Sequence, residues 1–211
     1  MASGKFIVIE GLDGCGKSTQ AALLCRRLEA RGVSVLHTAE PTTGETGKFL
    51  RRILAGEVSC HAATVAALFA ADRVEHNLSP DGIQAHLQKG SWVVCDRYYY
   101  SSMAYQGMDA DFNWVKRLNV ENPYIRKPDC CLFLEAPAEV CLSRIQAGRS
   151  ADSREIFENR ETLARIRARF EAVFAALPAD SVIRIDASAG IDAVSKAIWT
   201  AVQPLLAAVP E

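Results

Sequence analysis

Short, uninterrupted apolar runs alternate along this chain with longer stretches of helical periodicity. Residues 6–9, FIVI, are rich in β-branched side chains, the pattern of a strand covered on both faces. Residues 20–30 then bring Ala22, Leu24 and Leu28 to helical spacing, and Arg31-Gly32 closes that helix. Further strands are predicted over 33–36, 92–95, 130–134 and 182–185. Helices are predicted over 48–54, 61–78, 80–88, 101–106, 112–119, 137–145, 158–177 and 191–206. Strands separated by helices predict an α/β fold, with five parallel strands joined by right-handed crossovers and flanked by helices. No repeat, low-complexity tract or linker divides residues 1–211, so one domain is expected.

Candidate chemistry begins where the first strand ends. Gly11-Leu12-Asp13-Gly14-Cys15-Gly16-Lys17-Ser18 fits G-x-x-x-x-G-K-[ST], the phosphate-binding loop of P-loop NTPases. Glycines let the backbone curl so that N–H groups converge on phosphate oxygens, and the following helix adds the positive end of its dipole. Lys17 is expected to reach the β- and γ-phosphates, and Ser18 to ligate Mg²⁺. Asp96 ends the third strand on the same side of the sheet, where a carboxylate can hold the Mg²⁺ shell. Arg97 beside it offers a fork of donors to phosphate.

Two further groupings change the picture. Arg144, Arg149 and Arg154 are spread along a polar segment that reads as a mobile lid over about 146–157. Phe69 and Arg73 lie four apart on one helix and share a face, an aromatic plate beside an arginine fork that suits recognition of a base. Taken alone, Phe69 is an ordinary core residue.

Composition narrows the classes. The chain is 49% hydrophobic and 23% charged with net charge -1, which argues against a nucleic-acid binder resting on bulk positive charge. Seven cysteines without a C-x-x-C pair suit a reducing compartment. The four histidines have no metal-ligand spacing. No basic-then-apolar leader is seen, and the longest uncharged stretches, 58–71 and 197–210, are too short to span a bilayer. A cytoplasmic protein without a membrane or nucleic-acid partner is expected.

In chain order, GLDGCGKS, Glu40-Pro41, Leu68-Phe69-Ala70-Ala71-Asp72-Arg73, Asp96-Arg97-Tyr98, Ser101-Ser102-Met103-Ala104-Tyr105-Gln106-Gly107, Lys127-Pro128-Asp129 and Phe157-Glu158-Asn159 resemble the thymidylate kinase family. The phosphate-binding loop marks only the superfamily, whereas LFAADR, DRY and SSxAYQG are specific to that family. The resemblance implies a fold like the nucleoside monophosphate kinases, a homodimer, and Mg²⁺-dependent transfer of the ATP γ-phosphoryl group to dTMP. It further implies that Phe69 stacks on thymine, Arg73 bonds a thymine carbonyl, and Ser102 faces the base N3 with Gln106 nearby. Tyr105 would pack on the sugar and exclude a 2′-hydroxyl, and Pro41 would help form the methyl pocket. Asp13 would read the 3′-hydroxyl and Arg97 would bind the acceptor phosphate. The implied ATP-binding set is Gly11, Leu12, Asp13, Gly14, Cys15, Gly16, Lys17, Ser18 and Thr19, with Arg144.

Three departures from the family pattern matter. The phosphate-binding loop carries no arginine, which assigns the catalytic arginine to the lid, as Arg149 or Arg154. The lid reads Asp152-Ser153-Arg154 instead of an Asp-Arg pair, and Thr42 stands where some members have an arginine. Rival readings are a deoxynucleoside kinase acting on thymidine, with Glu40 as its base, and a nucleotide-binding switch. Cys15 sits near a helix N-terminus, where a thiol's pKa tends to fall, which would make it a target for oxidation; the favoured reading is inert filler. The alanine-rich segment 64–70 offers a face to a second copy.

Overall fold

The computed structural model describes residues 4–147 and 160–207. Five strands, β1 (Phe6–Gly11), β2 (Val35–Ala39), β3 (Trp92–Asp96), β4 (Cys130–Glu135) and β5 (Val182–Asp186), make one parallel sheet in the order β2-β3-β1-β4-β5. Every residue of β1 and β3 is buried, while the edge strands β2 and β5 are only partly covered. That explains why the central strands read as unbroken apolar runs. The connecting helices are α1 (Lys17–Glu29), α2 (Glu45–Leu54), α3 (Ala62–Leu78), α4 (Ile83–Gln88), α5 (Tyr99–Tyr105), α6 (Phe112–Val120), α7 (Ala138–Ala147), α8 (Arg160–Ala175) and α9 (Ile191–Ala207).

Strand order reverses at β1, with β2 and β3 on one side and β4 and β5 on the other. Such a switch point opens a crevice beyond the carboxyl ends of the strands. Register places it: Ile9 of β1 pairs with Asp96 of β3, and Gly11 with Leu134 of β4. Helices α5 and α8 pack through aromatic rings, Tyr100 on Phe174 and Tyr105 on Phe170. Phe133 of β4 lies 5.0 Å from Phe170 and 4.9 Å from Phe174, and Phe6 meets Tyr98 edge-on at 5.0 Å. Tyr99 and Tyr100 each donate to Asp180 Oδ2 at 2.7 Å, so these buried phenols are satisfied.

Several boundaries shift from expectation for local reasons. The second strand begins at Val35 rather than 33, because the Val33 N–H is spent on Leu28 O at 3.1 Å as α1 closes through Gly32. The helix expected over 80–88 begins at Ile83, after a turn in which Gly82 N–H donates to Ser79 O at 2.8 Å. The helix expected from 48 begins at Glu45, an acidic first-turn residue that suits the dipole. Helix α7 runs through Ala147, so residues 146 and 147 of the expected lid are helical.

Candidate active site

The loop between β1 and α1 is shaped by glycines at fixed places. A Cβ on Gly14 would lie 2.3 Å from the Cys141 carbonyl of α7, and its φ of +78° favours glycine independently. Gly16 caps α1 at φ +101° without a side-chain hydrogen bond, leaving the first-turn N–H groups to face the crevice. Lys17 is buried there and donates Nζ to Leu12 O at 2.8 Å. The crevice measures about 540 Å³ and is lined by residues 13–20 together with Asp96, Arg97, Arg144 and Ile191.

Across from the loop, Ser18 Oγ donates to Asp96 Oδ2 at 2.5 Å. Among the described residues, Asp96 Oδ1 is buried without a hydrogen-bond partner. A buried carboxylate oxygen left bare is costly unless a ligand meets it. Hydroxyl and carboxylate oxygens are the donor set of a hard divalent cation, so the pair fits Mg²⁺.

A second cluster is assembled around Arg97, whose φ of +68° is a strained value for a side-chain-bearing residue. Its Nη2 pairs with Asp13, and Nη1 donates to Ser101 Oγ at 2.9 Å. Tyr105 OH donates to the other Asp13 oxygen at 2.9 Å, and Arg97 lies 5.2 Å from the Tyr105 ring centre. Burial alone would raise the Asp13 carboxyl, yet Arg97 and Lys17 outweigh it and hold its pKa down at about 2. Burial pushes the Tyr105 phenol well up, which keeps it a donor to Asp13.

A second arginine is treated differently. Arg73 is 1% exposed and donates Nε to Glu40 Oε2 at 2.8 Å, Nη2 to Ser102 Oγ at 3.1 Å, and Nη1 to Asn119 Oδ1. The other Glu40 oxygen lies 3.0 Å from His76 Nδ1, and His76 Nε2 lies 2.8 Å from Thr38 Oγ1. Both oxygens of Glu40 are therefore committed.

With this geometry in view, comparison with known proteins is decisive. The family model described as Thymidylate kinase matches residues 9–198. The chain belongs to the thymidylate kinase family. A Bradyrhizobium protein named Thymidylate kinase is 35% identical, with 96% of this chain and 91% of that protein covered. A Treponema pallidum protein named for the same activity is 39% identical over 92% of each chain. A solved thymidylate kinase from Candida albicans superposes with a TM-score of 0.78, at 23% identity, covering 98% of this chain and 94% of that one. At that identity it speaks for the fold alone.

The residues that the family pattern singles out fall into two joined groups. Asp13, Lys17, Ser18, Thr19, Asp96, Arg97 and Arg144 line one crevice. Arg73, Ser102, Tyr105 and Gln106 are buried beside it, joined to the first group through the Tyr105–Asp13 hydrogen bond. Phe69 is half-buried on α3 and stands outside the hydrophobic core, so the ordinary core reading fails. Pro41 is half-buried, follows a cis peptide bond, and offers its carbonyl to Arg51. Arg149 and Arg154 lie outside the described residues.

One expectation is corrected and one alternative falls. Arg144 is on helix α7, as the helix predicted over 137–145 implies, and not in the expected lid with Arg149 and Arg154; from that helix Nη1 donates to Ala187 O at 2.8 Å and Nη2 to Ala189 O at 3.1 Å. The Cys15 thiol is pushed up by burial, which outweighs the opposing pull of Lys17. It is therefore not an activated thiol, which agrees with the inert reading and removes the redox alternative. Sequence reasoning also missed Glu10 and Asn119, both fully buried. A carboxylate inside a strand covered on both faces was the available signal for Glu10. Burial raises the Glu10 carboxyl, and Arg97 works against that shift.

Proposed function

We propose that the protein transfers the γ-phosphoryl group of ATP to dTMP, giving dTDP and ADP, in the service of dTTP synthesis. The observation that carries this reading is the Arg97 guanidinium, braced in the same crevice as Lys17 and the phosphate-binding loop. A phosphate-bearing acceptor finds its countercharge there. An acceptor oxygen of dTMP attacks the γ-phosphorus as the bond to the β,γ-bridging oxygen breaks and ADP departs. That oxygen is already ionised at neutral pH, so no general base is required. Lys17 and Arg97 neutralise donor and acceptor charge and hold the groups in line. When bound, Mg²⁺ supplies further neutralisation of the β- and γ-phosphates, with Ser18 and Asp96 as the residues that would hold it.

For the nucleoside, Phe69 stacks on thymine, Arg73, Ser102 and Gln106 face its polar edge, and Pro41 borders the methyl group. Tyr105, fixed by Asp13, leaves no room for a 2′-hydroxyl. Arg144 borders the ATP site, and Arg149 or Arg154, both outside the described residues, supplies the positive charge for the transferring group. The homodimer uses the exposed side of α3 around 64–70. A cytoplasmic location suits this chemistry, and no helix among the described residues is long and apolar enough to cross a membrane.

Glu40 argues against the thymidine kinase reading, since Arg73 and His76 occupy both oxygens of the base which that reaction needs. The test is ADP release with ATP and Mg²⁺, offering dTMP, dUMP, UMP, dCMP and thymidine separately. Strong turnover with dTMP, weaker with dUMP and little with UMP is expected. Preference for thymidine would overturn the proposal.

A further inference from the structure

We infer that Glu10 is a positioning residue for phosphoryl transfer, holding the Arg97 guanidinium toward the crevice by fixing the direction of the Ser101 hydroxyl. The inference rests on the proposed contact between Arg97 and the acceptor phosphate. Glu10 is fully buried near the end of β1. Its Oε1 accepts the N–H groups of Tyr98 at 2.8 Å and Ser101 at 3.1 Å, in the cap and first turn of α5. Its Oε2 accepts the Ser101 hydroxyl proton at 2.6 Å. A serine hydroxyl has one proton to give. With that proton spent on Glu10, Ser101 Oγ can only accept from Arg97 Nη1, at 2.9 Å. Asp13 holds the other arm, and the Arg97 peptide N–H donates to Ile9 O at 3.0 Å, one residue before Glu10. The strained Arg97 backbone is thus fixed from β1, and its side chain from both arms.

Because capping and orientation sit on different oxygens, they can be separated. Glu10→Gln keeps an acceptor for both α5 N–H groups. Its amide nitrogen replaces the oxygen facing Ser101 and donates, which turns the Ser101 proton toward Arg97, where two donors then meet. Removing the hydroxyl removes that conflict. A purely structural role for Glu10 gives no such rescue.

The test compares initial rates over dTMP and ATP for wild type, Arg97→Ala, Ser101→Ala, Glu10→Gln and Glu10→Gln/Ser101→Ala, with a thermal melt of each. Glu10→Gln is expected to raise the dTMP KM about tenfold and leave the ATP KM within about twofold, the scale of one hydrogen bond to a charged group. Ser101→Ala is expected to raise it about fivefold, and the double variant to return to that lower value, which is coupling rather than addition. A wild-type dTMP KM in Glu10→Gln, or a double variant no better than Glu10→Gln, would overturn the inference. An unchanged dTMP KM in Arg97→Ala overturns instead the acceptor reading beneath it. If Glu10→Gln does not fold, Ser101→Ala decides alone, and wild-type kinetics there count against the inference.

Discussion

Asp96 and Glu40 are neighbouring buried carboxylates with opposite fates. They leave adjacent strands together, with the Glu40 N–H donating to the Asp96 carbonyl at 3.0 Å. Glu40 gives both oxygens to Arg73 and His76. Asp96 gives one to Ser18 and keeps the other without a partner among the described residues. The difference separates a wall from a socket. Around Arg73 the chain satisfies its own charges and builds a fixed surface, whereas at Asp96 it leaves one carboxylate oxygen open, which is the capacity that the proposed cation site uses.

Breaking the satisfied side is expected to have the largest effect. Glu40→Gln strands a buried guanidinium and should cost about 3–5 kcal/mol, the scale for removing one partner of a buried pair. For a domain of this size that is a fall of roughly 10 °C in melting temperature, and an unshifted melt would contradict the assignment of Glu40 as structural. Asp96→Asn breaks the open side, and its cost should fall on metal use. The Mg²⁺ concentration for half-maximal activity is expected to rise about 10- to 100-fold while the melt stays near wild type. The same Mg²⁺ midpoint in both proteins would remove Asp96 from the cation site.

Phe69 sharpens the contrast, because an aromatic side chain left out of the core is available to a ligand. Phe69→Ala is expected to raise the dTMP KM about tenfold, the scale of one base–aromatic stack, with little loss of stability. A large drop in melting temperature with an unchanged KM would make Phe69 a packing residue after all. The smallest expected effect is a titration. With its pKa near 2, below the ordinary value of 3.8, Asp13 contributes stability above about pH 4 that is lost as pH falls through its folded value. Carboxyl chemical shifts should show that low midpoint in wild type and a higher one in Arg97→Ala. Identical midpoints would mean that Arg97 does not set it.

The sheet and the phosphate-binding loop were legible because they depend on periodicity and on glycines at fixed spacing. Strands covered on both faces cannot hide their apolar runs, and Gly14 has a role that its neighbours cannot fill. The hydrogen-bonded frame was much less legible. Which carboxylate would be saturated and which left open depends on contacts across 33 residues for Glu40–Arg73 and 78 for Ser18–Asp96. Asn119 carries no motif, and its pairing with Arg73 spans α3 and α6. Arg144 looked like part of the lid because its neighbours are polar, yet the helical register of α7 ties it to the carbonyls after β5. The redox alternative for Cys15 fails because a helix terminus is visible in sequence and burial is not.

The most direct measurement follows the phosphorus itself. ³¹P NMR of the protein with ATP, Mg²⁺ and dTMP should show the γ-phosphoryl signal of ATP replaced by the β-phosphoryl signal of dTDP, with little free phosphate. Inorganic phosphate appearing in its place, or an unchanged ATP spectrum, would contradict transfer to a nucleotide phosphate oxygen.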